Sequence, residues 1–254
     1  MAEKVRILFV GVGGKMGRVA TECIRLRDDC EMVAGVDISD FDAEFPIYKK
    51  AVDVKEKYDV IIDFSHPSAL DDILTAAEST NSAVVIATTG YDDTQIAKIN
   101  DAAKKMPVFF TYNMSLGVNL IADLARRAAA VLSDGFDIEI VEAHHNQKID
   151  APSGTAMMLY DAISDSLDDG YYCEYDRHSH RRKREKKEIG MHAIRGGTIV
   201  GEHEIIFAGR DEIVKLSHSA RSKEIFAVGA VNAAVFMSGR EAGLYNMSDL
   251  VSSK

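Results

Sequence analysis

Residues 5–18 read VRILFVGVGGKMGR, and the junction between the apolar run at 5–10 and the glycines at 11–14 decides how the chain folds. A run of strand length stops at a glycine cluster, after which Val19, Cys23 and Leu26 recur at helical spacing. The order is therefore strand, tight turn, helix. Glycines let the backbone approach a pyrophosphate, which the unpaired N–H groups and the dipole of the following helix then hold. Gly11 and Gly13 take the first two places of the usual G-x-G-x-x-G spacing, but Met16 stands at the third and Gly17 comes one place later. Alone, this is also the pattern of an ordinary tight turn. The next strand, 31–36, ends at Asp37, about twenty residues on, where a carboxylate accepts both hydroxyls of an adenosine ribose. The candidate dinucleotide site is Gly11, Val12, Gly13, Gly14, Lys15, Met16 and Asp37.

Outward from this junction the chain alternates, with strands read at 59–64, 83–88 and 107–112 and helical patterns at 67–79 and 94–104. Alternation of this kind gives a parallel sheet covered by helices in the Rossmann manner, with ligands beyond the carboxyl ends of the strands. Ser65, Thr88, Thr89 and Asn113 fall there. A long helix is expected at 118–132. Later the pattern becomes antiparallel, with strands at 189–194, 198–208 and 213–219 joined by Arg195-Gly196-Gly197 and Gly209-Arg210-Asp211, both read as hairpin turns. A final helix at 222–237 is apolar enough to be buried, and there is no internal repeat.

Residues 142–156 read EAHHNQKIDAPSGTA and carry the chemistry. They follow an apolar strand-like run, FDIEIV at 136–141, and place two imidazoles, an ammonium and a helix start close together. Ser153 can cap a helix whose apolar residues Ala156, Leu159, Tyr160, Ile163 and Leu167 recur at helical spacing. The N–H groups near Gly154 and Thr155 would then face the strand exit, where they suit a carboxylate or phosphate. Read singly, His144 and His145 end a strand, Lys148 is solvated and Ser153 is only a cap. Read together, they handle protons and anions.

With these stretches in place, the chain resembles the 4-hydroxy-tetrahydrodipicolinate reductases, also called dihydrodipicolinate reductases, NAD(P)H-dependent enzymes of lysine and diaminopimelate biosynthesis. The resemblance spans nearly the whole chain. It rests on GVGGKMGR from Gly11, DFSHPSA from Asp63, ATTGYD from Ala87, NMSLGVNL from Asn113, EAHHNQKIDAPSGTA from Glu142 and IRGGTIVGEH from Ile194. It implies an α/β fold, with a Rossmann-type parallel-sheet nucleotide domain and an inserted α+β substrate domain whose sheet is mainly antiparallel. The nucleotide domain would comprise 1–114 and 225–254, and the domain for substrate binding and oligomerisation 115–224, its sheet making a homotetramer contact. Ala87, Thr88, Thr89, Thr111, Tyr112, Asn113 and Met114 would border the nicotinamide. His144 matches the family's proton donor and acceptor, and Lys148 its second proton donor. His145, Gly154 and Thr155 match the positions that hold the substrate carboxylates, and Ser153 at the helix start is counted with them.

The chemistry agrees. Reducing a double bond conjugated to an imine needs hydride at one end, a proton at the other and positive charge around two ring carboxylates. An imidazole, which ordinarily titrates near about 6.5, suits the proton; which histidine carries it is not legible in sequence. Asp37 is followed by Ile38 and Ser39, where several family members have an arginine for a 2′-phosphate. NADH is therefore the expected cofactor, with NADPH as a second one if Lys15 or Lys49-Lys50 offsets the repulsion.

Composition sets the outer bounds. A chain of 254 residues with 46% hydrophobic content can bury one large core or two smaller ones. No apolar run approaches membrane-spanning length and MAEKVRILFV lacks a secretory pattern, so a cytoplasmic enzyme without a membrane partner is expected. Cys23, Cys30 and Cys173 have no metal-ligand spacing, so neither a metal site nor disulfides are expected. A net charge of -10 argues against nucleic acid as a partner, leaving a small dicarboxylate for which a local basic pocket suffices. One segment departs from the resemblance: 177–188 reads RHSHRRKREKKE, first as a solvated, mobile face and second as a lid supplying Arg or Lys to substrate. Two other functions remain open: another Rossmann dehydrogenase of small amino or keto dicarboxylates, and a non-catalytic, nucleotide-binding redox sensor.

Overall fold

A computed structural model describes residues 3–253. In chain order the elements are β1 (Val5–Val10), α1 (Lys15–Arg25), β2 (Cys30–Val36), β3 (Ile47–Tyr48), β4 (Val60–Asp63), α2 (Leu70–Thr80), β5 (Ala83–Ile86), α3 (Asp93–Ala103), β6 (Pro107–Phe110) and α4 (Leu116–Leu132). They continue with β7 (Asp137–His144), α5 (Gly154–Ser164), β8 (Tyr172–Glu174), β9 (Glu188–Arg195), β10 (Gly201–Ala208), β11 (Ile213–Ala220), α6 (Glu224–Met237), β12 (Gly243–Tyr245) and α7 (Met247–Ser252). Gly117–Lys223 forms one compact unit, and the chain on either side, through Leu116 and from Glu224, forms the other.

In the first unit the strands run in the order β12-β6-β5-β4-β1-β2-β3, every neighbouring pair parallel. Both faces of this sheet are covered, which is why its strands read as almost uninterrupted apolar runs. Along β1, Val5, Ile7 and Phe9 enter one core with α1, α6 and α7, while Leu8 and Val10 enter the other with α2 and α3. α3 opens on a reciprocal cap, Asp92 accepting from the Gln95 N–H and the Gln95 side chain from that of Asp92. β1 lies between β2 and β4, and the chain leaves it toward opposite sides of the sheet; this is the switch point where α/β sheets bind ligands. The short strands β3 and β12 and the helix α7 escape a reading by periodicity, since two or three strand residues, or a helix of fewer than two turns, carry no resolvable period.

The second unit has the strand order β11-β10-β7-β9-β8. Helices α4 and α5 cover one face, with Ala125, Ala129, Leu159 and Ile163 packed on Ile138, Ile140, Ile189, Met191, Ile205 and Phe207. β10 is antiparallel to β11 and β7, whereas β9 is parallel to β7 and β8, so the sheet is mixed. The turn at 209–212 closes the expected hairpin between β10 and β11. The expected hairpin at 195–197 does not form. β7 lies between β9 and β10, and the glycines carry the chain across its end, with the Gly196 N–H on the His144 carbonyl and the Asn146 N–H on that of Gly197.

The basic run is mostly a solvated face, as expected, but Arg177 and Arg184 are tied down within it. Arg184 keeps only 16% of its side chain exposed, with Nε 3.1 Å from Glu139, Nη1 3.0 Å from Asp137 and Nη2 2.8 Å from the Ile138 carbonyl. Arg177 pairs with Glu188 and lies 3.7 Å from Glu139. Residues 177–183 and 185–187 are exposed, and Arg181 and Lys183 enter no ion pair among the described residues. These anchors sit at the start of β7, and His144 ends that strand, roughly 20 Å away at about 3.3 Å per residue. That separation removes the support for a lid over His144. All three cysteines are free thiols, and burial pushes Cys30 up to about 11. Among the described residues no helix is long and apolar enough to cross a membrane.

Candidate active site

The turn after β1 is built for close backbone approach. Gly11 has φ +83°, and a Cβ there would overlap the Phe64 carbonyl at the end of β4. Gly17, in the first turn of α1, is the second such position: a Cβ would stand 2.5 Å from the Gly11 carbonyl oxygen and closer still to that of Val12. Gly13 belongs with them, since a Cβ there would stand 2.8 Å from the Phe41 ring and 2.9 Å from Asp37 Oδ2, and Gly14 is the N-cap of α1, three residues from both Gly11 and Gly17. Gly17 replaces the absent glycine at Met16; the sequence shows it one place late but does not put it among the candidate dinucleotide residues, for which its spacing from Gly11 and Gly14 is the signal. No side chain caps α1, so its leading N–H groups at Lys15 and Met16 are available to an anion.

Asp37 follows β2 and accepts from the Gly13 N–H at 2.8 Å and the Ser39 N–H at 2.9 Å, which aims its carboxylate at the glycine turn. Lys49 lies close by, 3.0 Å from the Ile38 carbonyl, and is paired with Asp40 at 2.6 Å. These residues make a cradle that only glycines could leave open, with a carboxylate at its rim; it fits a dinucleotide.

At the ends of β4, β5 and β6 the structure places Ser65, then Ala87, Thr88 and Thr89, then Thr111, Tyr112, Asn113 and Met114. Thr88, Asn113 and Met114 are buried and Tyr112 is exposed. Beneath Thr88 lies the fully buried Asp63, which accepts from the Ser65 hydroxyl at 2.5 Å and the Tyr91 hydroxyl at 2.9 Å. The Ser65 N–H is shared between Asp63 and Thr88. Burial pushes the Asp63 carboxyl up, against the opposing pull of Ser65, Thr88 and Tyr91.

In the second unit, β7 delivers Glu142 and His144 to the same face, two residues apart. His144 Nδ1 is 2.6 Å from Glu142 Oε2. Glu142 is fully buried; it accepts the two arms of Arg195 at 2.8 and 2.7 Å and the Ser153 N–H at 3.0 Å. Burial pushes its carboxyl up, but the bonds from Arg195, His144 and Ser153 outweigh that and hold it below the usual range. Ser153 caps α5, its hydroxyl accepting from the Ala156 N–H, as the capping argument expects.

The His203 Nε2 is 3.1 Å from the Ser153 hydroxyl, and the His203 ring stands edge-on to His144 with centroids 5.2 Å apart. Burial, reinforced by the nearby His144, pushes His203 down to about 4, so it is a neutral neighbour at ordinary pH. Lys148 is half-buried and 2.9 Å from Asp150, which holds the Asp150 carboxyl below its ordinary value. His145 is half-buried next to His144, and Gly154 and Thr155 form the first turn of α5.

The structure thus draws His144, Lys148, Ser153, Gly154 and Thr155 into one stretch of the second unit, supported by three residues the sequence reading did not single out. Glu142 was detectable as the residue two before His144 on one strand face. Arg195 and His203 were not: they arrive through pairing, Arg195 opposite His144 and His203 opposite Glu142. Such a cluster can donate a proton and hold carboxylates together.

Comparison with known proteins gives consistent matches. The family model described as dihydrodipicolinate reductase, N-terminus, matches residues 5–114, and that described as dihydrodipicolinate reductase, C-terminus, matches 117–251. The chain is 47% identical over 247 residues to the 4-hydroxy-tetrahydrodipicolinate reductase of Caldanaerobacter subterraneus subsp. tengcongensis, covering 97% of this chain and 98% of that one. It is 44% identical over 250 residues to the protein of the same name from Clostridium novyi, covering 98% and 99%. Among solved structures it is similar to the dipicolinate-bound dihydrodipicolinate reductase of Paenisporosarcina sp. TG-14, with a TM-score of 0.81, 26% identity and coverage of 96% and 98%.

Proposed function

The chain belongs to the dihydrodipicolinate reductase family, and from that premise we propose how its residues divide the work of reducing 4-hydroxy-tetrahydrodipicolinate to tetrahydrodipicolinate in lysine and diaminopimelate biosynthesis. Residues 1–114 and 225–254 form the dinucleotide domain, and 115–224 the domain for substrate and assembly. A reduced nicotinamide nucleotide, when bound, supplies the hydride. Gly11, Gly14, Gly17 and the start of α1 hold its pyrophosphate, and Asp37 its adenosine ribose. Thr88, Thr89 and Thr111 to Met114 border its nicotinamide.

The reaction replaces a hydroxyl by hydrogen, so it consumes one hydride and one proton and releases water. Once the hydroxyl has left as water, the double bond conjugated to the ring imine takes hydride at one end and the proton at the other. His144 gives that proton, and Lys148 stabilises the negative charge that develops before it arrives. His145, Ser153, Gly154 and Thr155 hold the two carboxylates, using the helix start as an anion site. The observation that carries this reading is the convergence, within 142–155, of a carboxylate-bonded imidazole, an ammonium and a helix start. A coupled assay of nucleotide oxidation with enzymatically generated substrate tests it; no oxidation by the intact protein would refute it. The outer face of the second unit's sheet, which exposes Ile194 and Ile213, is the homotetramer contact in this reading, and a sedimentation mass of one chain would refute that. The reading places the enzyme in the cytoplasm, beside the nicotinamide pool.

The cofactor follows from Asp37. Its carboxylate repels a 2′-phosphate, and Lys49, one of the lysines that could offset this, is already paired with Asp40. NADH is expected to be used at least as well as NADPH. A tenfold preference for NADPH in kcat/KM would overturn this.

Charge also sets ligand choice. Pyridine-2,6-dicarboxylate is expected to compete with substrate, and pyridine-2-carboxylate to bind at least about tenfold less tightly, since each charge-assisted hydrogen bond lost is worth about 1.5–3 kcal/mol. Thr155→Val should shrink that ratio. Arg184→Ala should leave it unchanged, because Arg184 is tied to Glu139 and Asp137 at the far end of β7. Equal inhibition by the two compounds would sink the two-anchor site.

A further inference from the structure

We propose that Glu142, kept ionised by Arg195, is a positioning residue that holds His144 with its Nδ1–H turned inward, so that Nε2 is the atom that gives up the reaction proton. This rests on the reading of His144 as the proton donor and adds the device that orients it.

All four approaches to the Glu142 carboxylate are taken by donors. Oε1 accepts from the Ser153 N–H at 3.0 Å and Arg195 Nη2 at 2.7 Å; Oε2 faces His144 Nδ1 at 2.6 Å and Arg195 Nη1 at 2.8 Å. A carboxylate with no exposure survives as an anion only when a cation and further donors compensate its desolvation, and the planar guanidinium fork does so on both oxygens. An ionised carboxylate can only accept, so the hydrogen in the 2.6 Å contact belongs to His144 Nδ1. In neutral His144 the hydrogen is therefore on Nδ1, and Nε2 is the nitrogen that exchanges the reaction proton. When Nε2 loses its proton to substrate, the bond to Glu142 is kept and the ring does not turn.

The same carboxylate ties other parts of the site to His144. It holds the N–H of Ser153, the cap of α5, while Arg195 Nη2 reaches the Asp150 carbonyl at 2.7 Å. The proton donor, the anion-binding helix start and the loop that carries Lys148 thus hang from one ion pair. The other titratable groups around His144 do not duplicate its effect. On β10, His203 is neutral at ordinary pH, and His218 on β11 lies beyond it; burial pushes His218 down as well. Lys148 is paired with Asp150, and His145 is the next residue in the chain.

Removing the anion destabilises the imidazolium, and removing the cation leaves the anion free to stabilise it further. The alkaline limb of the kcat–pH profile, where a proton donor is lost, should therefore move to lower pH in Glu142→Gln and to higher pH in Arg195→Met, each by about one unit or more, the scale of a neighbouring opposite charge. Imidazole 15N NMR of the unaltered protein, with the His144 signal assigned by its loss in His144→Gln, should show the neutral ring carrying hydrogen on Nδ1. A neutral ring with hydrogen on Nε2 would overturn the proposal, as would both variants shifting the limb in the same direction or neither shifting it. If Glu142→Gln does not fold, the tautomer of the unaltered protein and the Arg195→Met profile decide. Normal turnover in His144→Gln would instead remove His144 as proton donor, a failure distinct from a wrong tautomer.

Discussion

His144→Gln is expected to lower kcat by about a hundredfold or more, the scale of losing a general acid, while leaving nucleotide affinity intact. Glutamine keeps a polar group of similar reach near Glu142 and Arg195 but has no proton to give near neutral pH. Lys148→Ala should cost a similar factor for a different reason: its ammonium answers negative charge on the reacting ring, and in a water-poor site that attraction is stronger than in bulk solvent. Lys148 is paired with Asp150 at 2.9 Å, so a substrate carboxylate competes for it with a partner that is largely exposed. If the imidazole and the ammonium serve one transition state, the double variant should be scarcely slower than the worse single one. Single-turnover rates with saturating nucleotide measure this. Near-normal turnover in either single variant removes that residue from the chemistry, and fully multiplicative losses show two independent contributions.

How far the sequence revealed this site depends on how local each interaction is. The strands VRILFV, VIID, AVVI and PVFF are legible because burial on both faces leaves no alternation to confuse. Ser153 is legible because a cap acts within three residues of itself. The pairing of β9 with β7 is not: Arg195-Gly196-Gly197 announces a change of direction, and nothing in those residues says that β7 occupies the place where a hairpin partner would lie. The same limit hid Arg195, 53 residues from Glu142, and Glu139 and Asp137, 45 and 47 residues from Arg184. Composition counts the cations of the basic run, but the anions that fold it down come from another strand.

Gly17→Ala is expected to weaken NADH binding by at least about tenfold and to lower the melting temperature by several degrees. The added methyl would meet the carbonyl oxygens of Gly11 and Val12 and the Val12 Cα, all backbone, so no side chain can rotate to make room. Relief requires the first turn of α1 to slide away from the turn after β1. Overpacking of this kind costs about 1–3 kcal/mol, and the same displacement moves the leading N–H groups of α1 off the pyrophosphate. Affinity should therefore suffer beyond any loss of folded protein. Gly135→Ala is the matched control, since a Cβ there meets nothing within 4 Å; it should bind NADH normally. Titration of NADH fluorescence at a temperature where circular dichroism shows each variant folded separates affinity from stability. An unchanged dissociation constant in folded Gly17→Ala would mean that the spacing of Gly11, Gly14 and Gly17 does not build the nucleotide cradle, and that the turn after β1 tolerates what its geometry is expected to forbid.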